Sequence, residues 1–228
     1  MKALFGIFAG LICSTNLAAQ ACSVDSGFRG DRFKVHYEQR HLVKLFRDLN
    51  ELPTNVRARL DEHLQARLGR DFVSRLEFDQ GQGLDINRLK REFPSLYEEN
   101  LRLGTYDLVF RFSDSAKGLK YFYTKLALND DGSVNEEIKL PNIAKDPARA
   151  EIISCSDALV IAVAHGFPRG RVSPWFEYSS ERDIFIWIVT DSQPIEPPGP
   201  FGNGTYRKME LNANTGEVLR VYKETIVI

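Results

Sequence analysis

A seven-residue motif occurs twice in this chain and constrains its fold more than any other feature. Tyr123-Thr124-Lys125-Leu126-Ala127-Leu128-Asn129 and Tyr206-Arg207-Lys208-Met209-Glu210-Leu211-Asn212 share their first, third, sixth and seventh residues. A glycine turn and a valine follow each copy, as Asp131-Gly132-Ser133-Val134 and Thr215-Gly216-Glu217-Val218, the second turn being one residue longer. Hairpins favour similar turn residues, so turn chemistry alone accounts for part of the likeness. The motif recurs late in two stretches that each read as a helix followed by strands. That placement points to a structural duplication. Composition agrees with a packed α+β plan: 43% of the 228 residues are hydrophobic, and 30 basic side chains balance 31 acidic ones. A disordered chain is excluded, and the length suits one or two domains with real cores. A net charge of −1 lacks the basic excess of a nucleic-acid binder.

The helices follow from apolar spacing. Between Glu38 and Leu49, the residues Leu42, Leu45, Phe46 and Leu49 recur at helical intervals and predict a first helix. Pro53 breaks that pattern and suits the first turn of a second helix. On it Val56, Leu60, Leu64 and Leu68 form one stripe, and Gly69 is placed to stop it. Asp61 and Glu62 interrupt its positive charges, so its polar face reads as solvated surface rather than as a membrane-binding one. Ile86 to Glu99 holds a short helix before or around Pro94. A last helix runs from Ser156 to His165, apolar nearly all round, with Ser156 as its N-cap, Asp157 at the positive terminus and Gly166 as its stop.

Strands follow both main helices. Tyr106, Leu108, Phe110 and Phe112 alternate with Asp107, Val109 and Arg111, the period of a half-buried strand. Leu119–Leu128 and Ser133–Leu140 come next, joined at Asn129-Asp130-Asp131-Gly132, a hairpin turn in which Gly132 supplies positive φ. After the last helix, Arg171–Tyr178, Asp183–Thr190, Thr205–Leu211 and Glu217–Tyr222 repeat the plan. Ile184 to Val189 is apolar on both faces and predicts a central strand covered on both sides. The chain thus divides into an N-terminal arm and helix (22–52), a first α+β unit (53–141) and a second (154–228).

Residues 1–21 have a separate logic. Lys2, the apolar run Ala3 to Ile12 and the A-x-A pattern Ala19-Gln20-Ala21 have the layout of a secretory signal peptide, too short to span a bilayer. The mature chain would start at Cys22 outside the cytoplasm, retaining Cys22 and Cys155. Two readings of Cys22 stand. An even pair in an oxidising compartment predicts a Cys22–Cys155 disulfide. Alternatively, a cysteine directly after a cleavage site matches the acylated first residue of a bacterial lipoprotein, although that pattern usually has a larger aliphatic residue where Ala19 stands. Acylation of Cys22 is the one membrane attachment the sequence offers.

Motifs for chemistry are missing: there is no G-x-S-x-G, H-E-x-x-H, P-loop or C-x-x-C. His36 and His41 are five apart, which does not place two ligands on one helical face, so no metal and no cofactor is expected. Cys155 and His165 lie near opposite ends of one short helix, roughly 15 Å apart at 1.5 Å per residue, too far for a nucleophile and its base. Paired carboxylates such as Glu177 and Asp183 could face each other across a hairpin, yet exposed strand charges commonly do that without function. Two groups are candidate binding residues. One is the proline-stiffened loop Gln193 to Phe201, with Ile195, Pro197, Pro198 and Phe201, whose extended backbone loses little entropy on binding. The other is the aromatic set Tyr121, Tyr123, Trp175 and Tyr178, residue types enriched at interface hot spots, for which packing in the core is the competing explanation.

The second unit resembles a PepSY-type domain. The helix Ser156-Asp157-Ala158 to Gly166 precedes antiparallel strands in which Trp187 and then Leu211-Asn212-Ala213-Asn214-Thr215-Gly216-Glu217-Val218 are similar to that family's closing hairpin. The resemblance covers about the last 75 residues well and the first unit in outline, on short motifs. It implies a small extracytoplasmic α+β module that binds or restrains other proteins, peptidases among them, and the tandem plan is similar to proteinaceous enzyme inhibitors built from two such units. The expectation is therefore an exported, non-catalytic protein- or peptide-binding module, inhibitory or regulatory towards an extracytoplasmic enzyme. The alternatives are a hydrolase with an unrecognised acid/base pair and a lipid-anchored structural component of a surface complex.

Overall fold

The computed structural model describes residues 22–27, 37–100, 104–195 and 204–226; the signal-peptide reading of residues 1–21 falls outside them. Helix α1 (Thr54–Val73) turns Val56, Leu60, Leu64 and Leu68 inward, all at most 3% exposed, as i, i+4 spacing requires. Gly69 leaves helical geometry at φ 74°, and a further turn carries Phe72 into the core. The segment around Pro94 forms two short helices, α2 (Ile86–Glu92) and α3 (Pro94–Asn100). Helix α4 (Cys155–Ala164) ends at Gly166, φ 80°. Its N-cap is Ser154 rather than Ser156, because Ser154 stands three residues before Asp157 and the two form a reciprocal capping box.

Among the described residues ten strands make two sheets: β1 (Val24–Gly27), β2 (Val43–Phe46), β3 (Glu77–Leu84), β4 (Tyr106–Asp114), β5 (Leu119–Leu128) and β6 (Val134–Glu136) in the first, β7 (Val172–Ser179), β8 (Ile184–Asp191), β9 (Gly204–Asn212) and β10 (Val218–Ile226) in the second. The first has the order β1-β5-β4-β3-β2, with β6 also on β5; the second is the meander β10-β9-β8-β7. Each main helix thus precedes an antiparallel run, and the fold is α+β. The repeated motif holds one register in both. Leu128 pairs with Val134 as Leu211 pairs with Val218, and Leu126 pairs with Leu108 as Met209 pairs with Val189. Gly132 and Gly216 take φ 85° and 76° in the matching turns, a region costly for other residues.

Three expectations are corrected. Glu38–Leu49 is not a helix: a 3-10 segment (Tyr37–Leu42) leads into β2, and Leu45, counted in the apolar stripe, is 58% exposed. Phe46 instead lies against β3, where a Cβ on Gly81 or Gly83 would meet its ring within 3.3 Å. The strand drawn over Ser133–Leu140 shrinks to β6; Ile138 and Leu140 are still buried, as loop anchors. In β8, Phe185, Trp187 and Val189 are fully buried on one face; on the other Ile186 is buried but Ile184 and Ile188 are only half-buried. That strand is covered fully on one side and in part on the other.

The two sheets share one core. Phe72, Phe112, Phe122, Phe176, Phe185 and Trp187 form a continuous aromatic chain with successive ring centroids 5.0–5.5 Å apart as far as Phe185, and 4.8 Å between Phe176 and Trp187. Edge-to-face pairs of this kind contribute about 0.5–1.5 kcal/mol beyond their buried area. Strand β1 lies where the sheets meet: it runs parallel to β5, while Phe176 of β7 donates its backbone N–H to Ser26 Oγ at 3.1 Å. Cys22, just before β1, and Cys155, opening α4, are paired as a disulfide with Cα atoms 5.9 Å apart. A Cβ on Gly118 would lie 2.7 Å from the Cys22 carbonyl oxygen, so glycine is what lets the arm close there.

Candidate binding face on the second sheet

The period of two along β7–β10 sorts side chains onto two faces. One face, with Phe176, Trp187, Val189, Met209 and Leu211, belongs to the core. The other faces away from it, and its rows are set by register: Trp175 opposes Ile188, Ile188 opposes Glu210, and Glu210 opposes Arg220. In adjacent rows Glu177 opposes Ile186, while Lys208 opposes Tyr222. Together Glu177, Ile186, Ile188, Lys208, Glu210, Arg220, Tyr222 and Glu224 line a groove of about 390 Å³.

Its polar lining is held in place. Glu210 is only 3% exposed, and its carboxylate accepts from the Arg220 guanidinium and from the Tyr222 hydroxyl, the latter at 3.1 Å. The Arg220 guanidinium also lies over the Tyr222 ring, 4.4 Å from its centroid, a cation–π contact. Lys208 is paired with Glu224. Burial, reinforced by the negative Glu210, pushes the Tyr222 hydroxyl up to about 12, and the Glu210 hydrogen bond raises Arg220 further. Arg220 is thus a fixed cation with an exposed side chain, held by a buried anion.

The structure separates the aromatic set predicted to act together. Trp175 is on this open face, 43% exposed. Tyr178, three residues on, falls on the opposite side of the strand. Its hydroxyl donates to Asp183 at 2.9 Å, and burial plus that carboxylate push it up to about 12. Tyr121 and Tyr123 belong to β5 of the first sheet, rings 6.0 Å apart, with Arg111 over Tyr121 and Tyr123 only 5% exposed. Ile195 is 44% exposed, and its N–H donates to Thr205 O at 2.7 Å; Pro197, Pro198 and Phe201 lie outside the described residues. Glu177 and Asp183 do not face each other. Glu177 pairs with Ile186, and the Asp183 carboxylate is taken by Arg149, Tyr178 and the Asn142 N–H. Asp183 is thereby a structural clasp at the junction of the units, where Arg67 of α1 also approaches it at 3.6 Å. Among the described residues no three His, Cys, Asp or Glu gather into a metal-binding group. Sequence reading missed Lys208, Glu210, Arg220, Tyr222 and Glu224, although the i, i+2 spacing within each strand was a visible sign of a shared face.

No family model, curated protein or solved structure matches this chain.

Proposed function

We propose that this protein is a non-catalytic protein- or peptide-binding module, exported from the cytoplasm, which takes its partner on the outer face of the second sheet. One observation carries the reading: a large aromatic, Trp175, stands exposed beside a groove in which Glu210, Arg220, Lys208 and Glu224 are already fixed by internal pairs. A surface organised in this way loses little side-chain entropy when a partner docks. The likeness of the closing hairpin to PepSY-type modules supports a role in restraining an extracytoplasmic enzyme. The engagement of Asp183 by Arg149 and Tyr178 weighs against its use as a general base.

The test is to select linear peptides against the purified protein and titrate the winners into wild type, Trp175→Ala and Ile188→Ser. Trp187 is fully buried and serves as an internal reference for tryptophan fluorescence. Selected peptides should perturb Trp175 emission and lose about tenfold or more in affinity for Trp175→Ala, as hot-spot residues do. Unchanged affinity for both variants overturns the placement, and failure to select any peptide overturns the peptide-binding reading.

A further inference from the structure

The last strand, Val218–Ile226, reads Val-Leu-Arg-Val-Tyr-Lys-Glu-Thr-Ile. It closes the second sheet, pairing with β9 on one edge, and among the described residues nothing pairs with its other edge. Arg220, Val221, Lys223, Glu224 and Thr225 are all exposed, Val221 at 44%. An exposed edge nine residues long invites a further strand unless bulges, prolines or unpaired charge prevent it. Here its one register irregularity falls at the very start, between Val218 and Arg220, and the strand holds no proline.

The sequence of this strand is complementary to its own reverse. An antiparallel pairing of two copies about a two-fold axis at Tyr222, over the regular stretch that follows the bulge, sets Val221 against Lys223 and Tyr222 against Tyr222. It also sets Arg220 against the second copy's Glu224, twice. Opposite charges placed directly across a pair stabilise it, and like charges would oppose it. The ion pairs inside each copy extend the pattern. Glu210 holds Arg220, and Lys208 holds Glu224, so the joined face would carry Glu210, Arg220, the second copy's Glu224 and its Lys208 as charges of alternating sign. On the core side, the two exposed Val221 side chains become diagonal neighbours. A closed two-fold contact of this kind uses the same patch on both partners and leaves no free edge.

We infer that a second copy of this chain is the occupant of the β10 edge, and that the protein is a two-fold dimer with a continuous eight-stranded sheet. The inference does not depend on the peptide-binding reading. In the dimer the grooves of both copies share one open surface. Two measurements test it on the purified chain. Light scattering during size exclusion should give twice the chain mass, and Glu224→Lys, which sets two cations against each other twice, should raise the dimer dissociation constant about tenfold or more. Tyr222→Cys places a thiol opposite itself, so mild oxidation should link two copies covalently, whereas Lys223→Cys alone should not. Lys223→Cys should link only when mixed with Val221→Cys. A protein that is monomeric at every concentration overturns the inference, as does a dimer that Tyr222→Cys fails to link.

Discussion

The outer faces of the two sheets make an instructive pair. On the first, Asp107, Val109, Tyr123, Lys125 and Ala127 are all buried, none more than 8% exposed, and Lys125 donates to Asp107 at 3.2 Å in a desolvated pair. On the second, the corresponding strands β8 and β9 also bury Ile186 and Glu210 but leave Ile188 and Lys208 half-buried, and the flanking β7 and β10 present Trp175, Arg220 and Glu224 at the surface. The repeated motif itself diverges at this point: Lys125 and Ala127 of the first copy answer to Lys208 and Glu210 of the second. Both lysines are ion-paired, but Lys125 is sealed in and Lys208 lines a groove. The same hairpin plan thus buries its outer side chains more completely in the first sheet than in the second.

The largest effects should come where the two units depend on a shared interior. Trp187→Ala removes a fully buried side chain whose Nε1–H donates to Ile153 O at 3.2 Å; it should cost about 3–5 kcal/mol in urea unfolding, while Trp175→Ala on the open face should cost under about 1 kcal/mol. Equal costs would end the distinction between a structural and a displayed tryptophan.

The effect of the disulfide is of comparable size. Cys22 and Cys155 are 133 residues apart, so the closed loop should stabilise by roughly 4–5 kcal/mol in the chain-entropy account, less any strain. Intact-mass measurement of the purified protein should show the loss of two protons, and reduction should lower the melting temperature. Added acyl mass on Cys22 would favour the anchored form, and two free thiols would defeat both.

Paired charges give a finer contrast. Asp107→Ala removes a fully buried carboxylate that accepts from the buried Lys125 and should destabilise by about 3 kcal/mol or more. Glu210→Ala frees an Arg220 already in solvent and should cost nearer 1 kcal/mol, while weakening any ligand of the groove. Similar losses at both positions would mean that the second face is as closed as the first.

The smallest effect is in alkaline titration. Tyr178 and Tyr222 hold their protons up to about 12, above the ordinary value of 10.0. The folded pKa is the higher one, so the associated stability is intact below pH 10 and is lost as pH rises towards 12. Absorbance near 295 nm should show at least two of the eight tyrosines ionising late, one fewer in Tyr222→Phe.

Much of this fold was legible because its signals are local. The Val56–Leu68 stripe, the alternation of β4 and the glycine turns at Gly132 and Gly216 each follow from short-range sterics and periodicity. Strand β3, Glu-Phe-Asp-Gln-Gly-Gln-Gly-Leu, carries no such alternation, and only its partners make it a strand: Tyr106–Arg111 on one side and the Phe46 ring over its glycines on the other. The same holds for β2, where Leu42, Leu45 and Phe46 satisfy a helical count by chance of spacing. A short apolar run fits either period until tertiary pairing selects one.

The sequence by itself determined the two-unit α+β plan, the matching hairpins, and the inward faces of α1 and β8, since side-chain period is a property of the backbone. It also held the order of β10, with Arg220 and Glu224, opposite in charge, two residues either side of Tyr222. Tertiary structure alone decided that Trp175 is displayed while Tyr123 is buried, that Tyr178 serves the Asp183 clasp, and that Glu210 is desolvated beneath Arg220. Burial depends on which elements come to cover a face, and that depends on contacts between residues far apart in the chain.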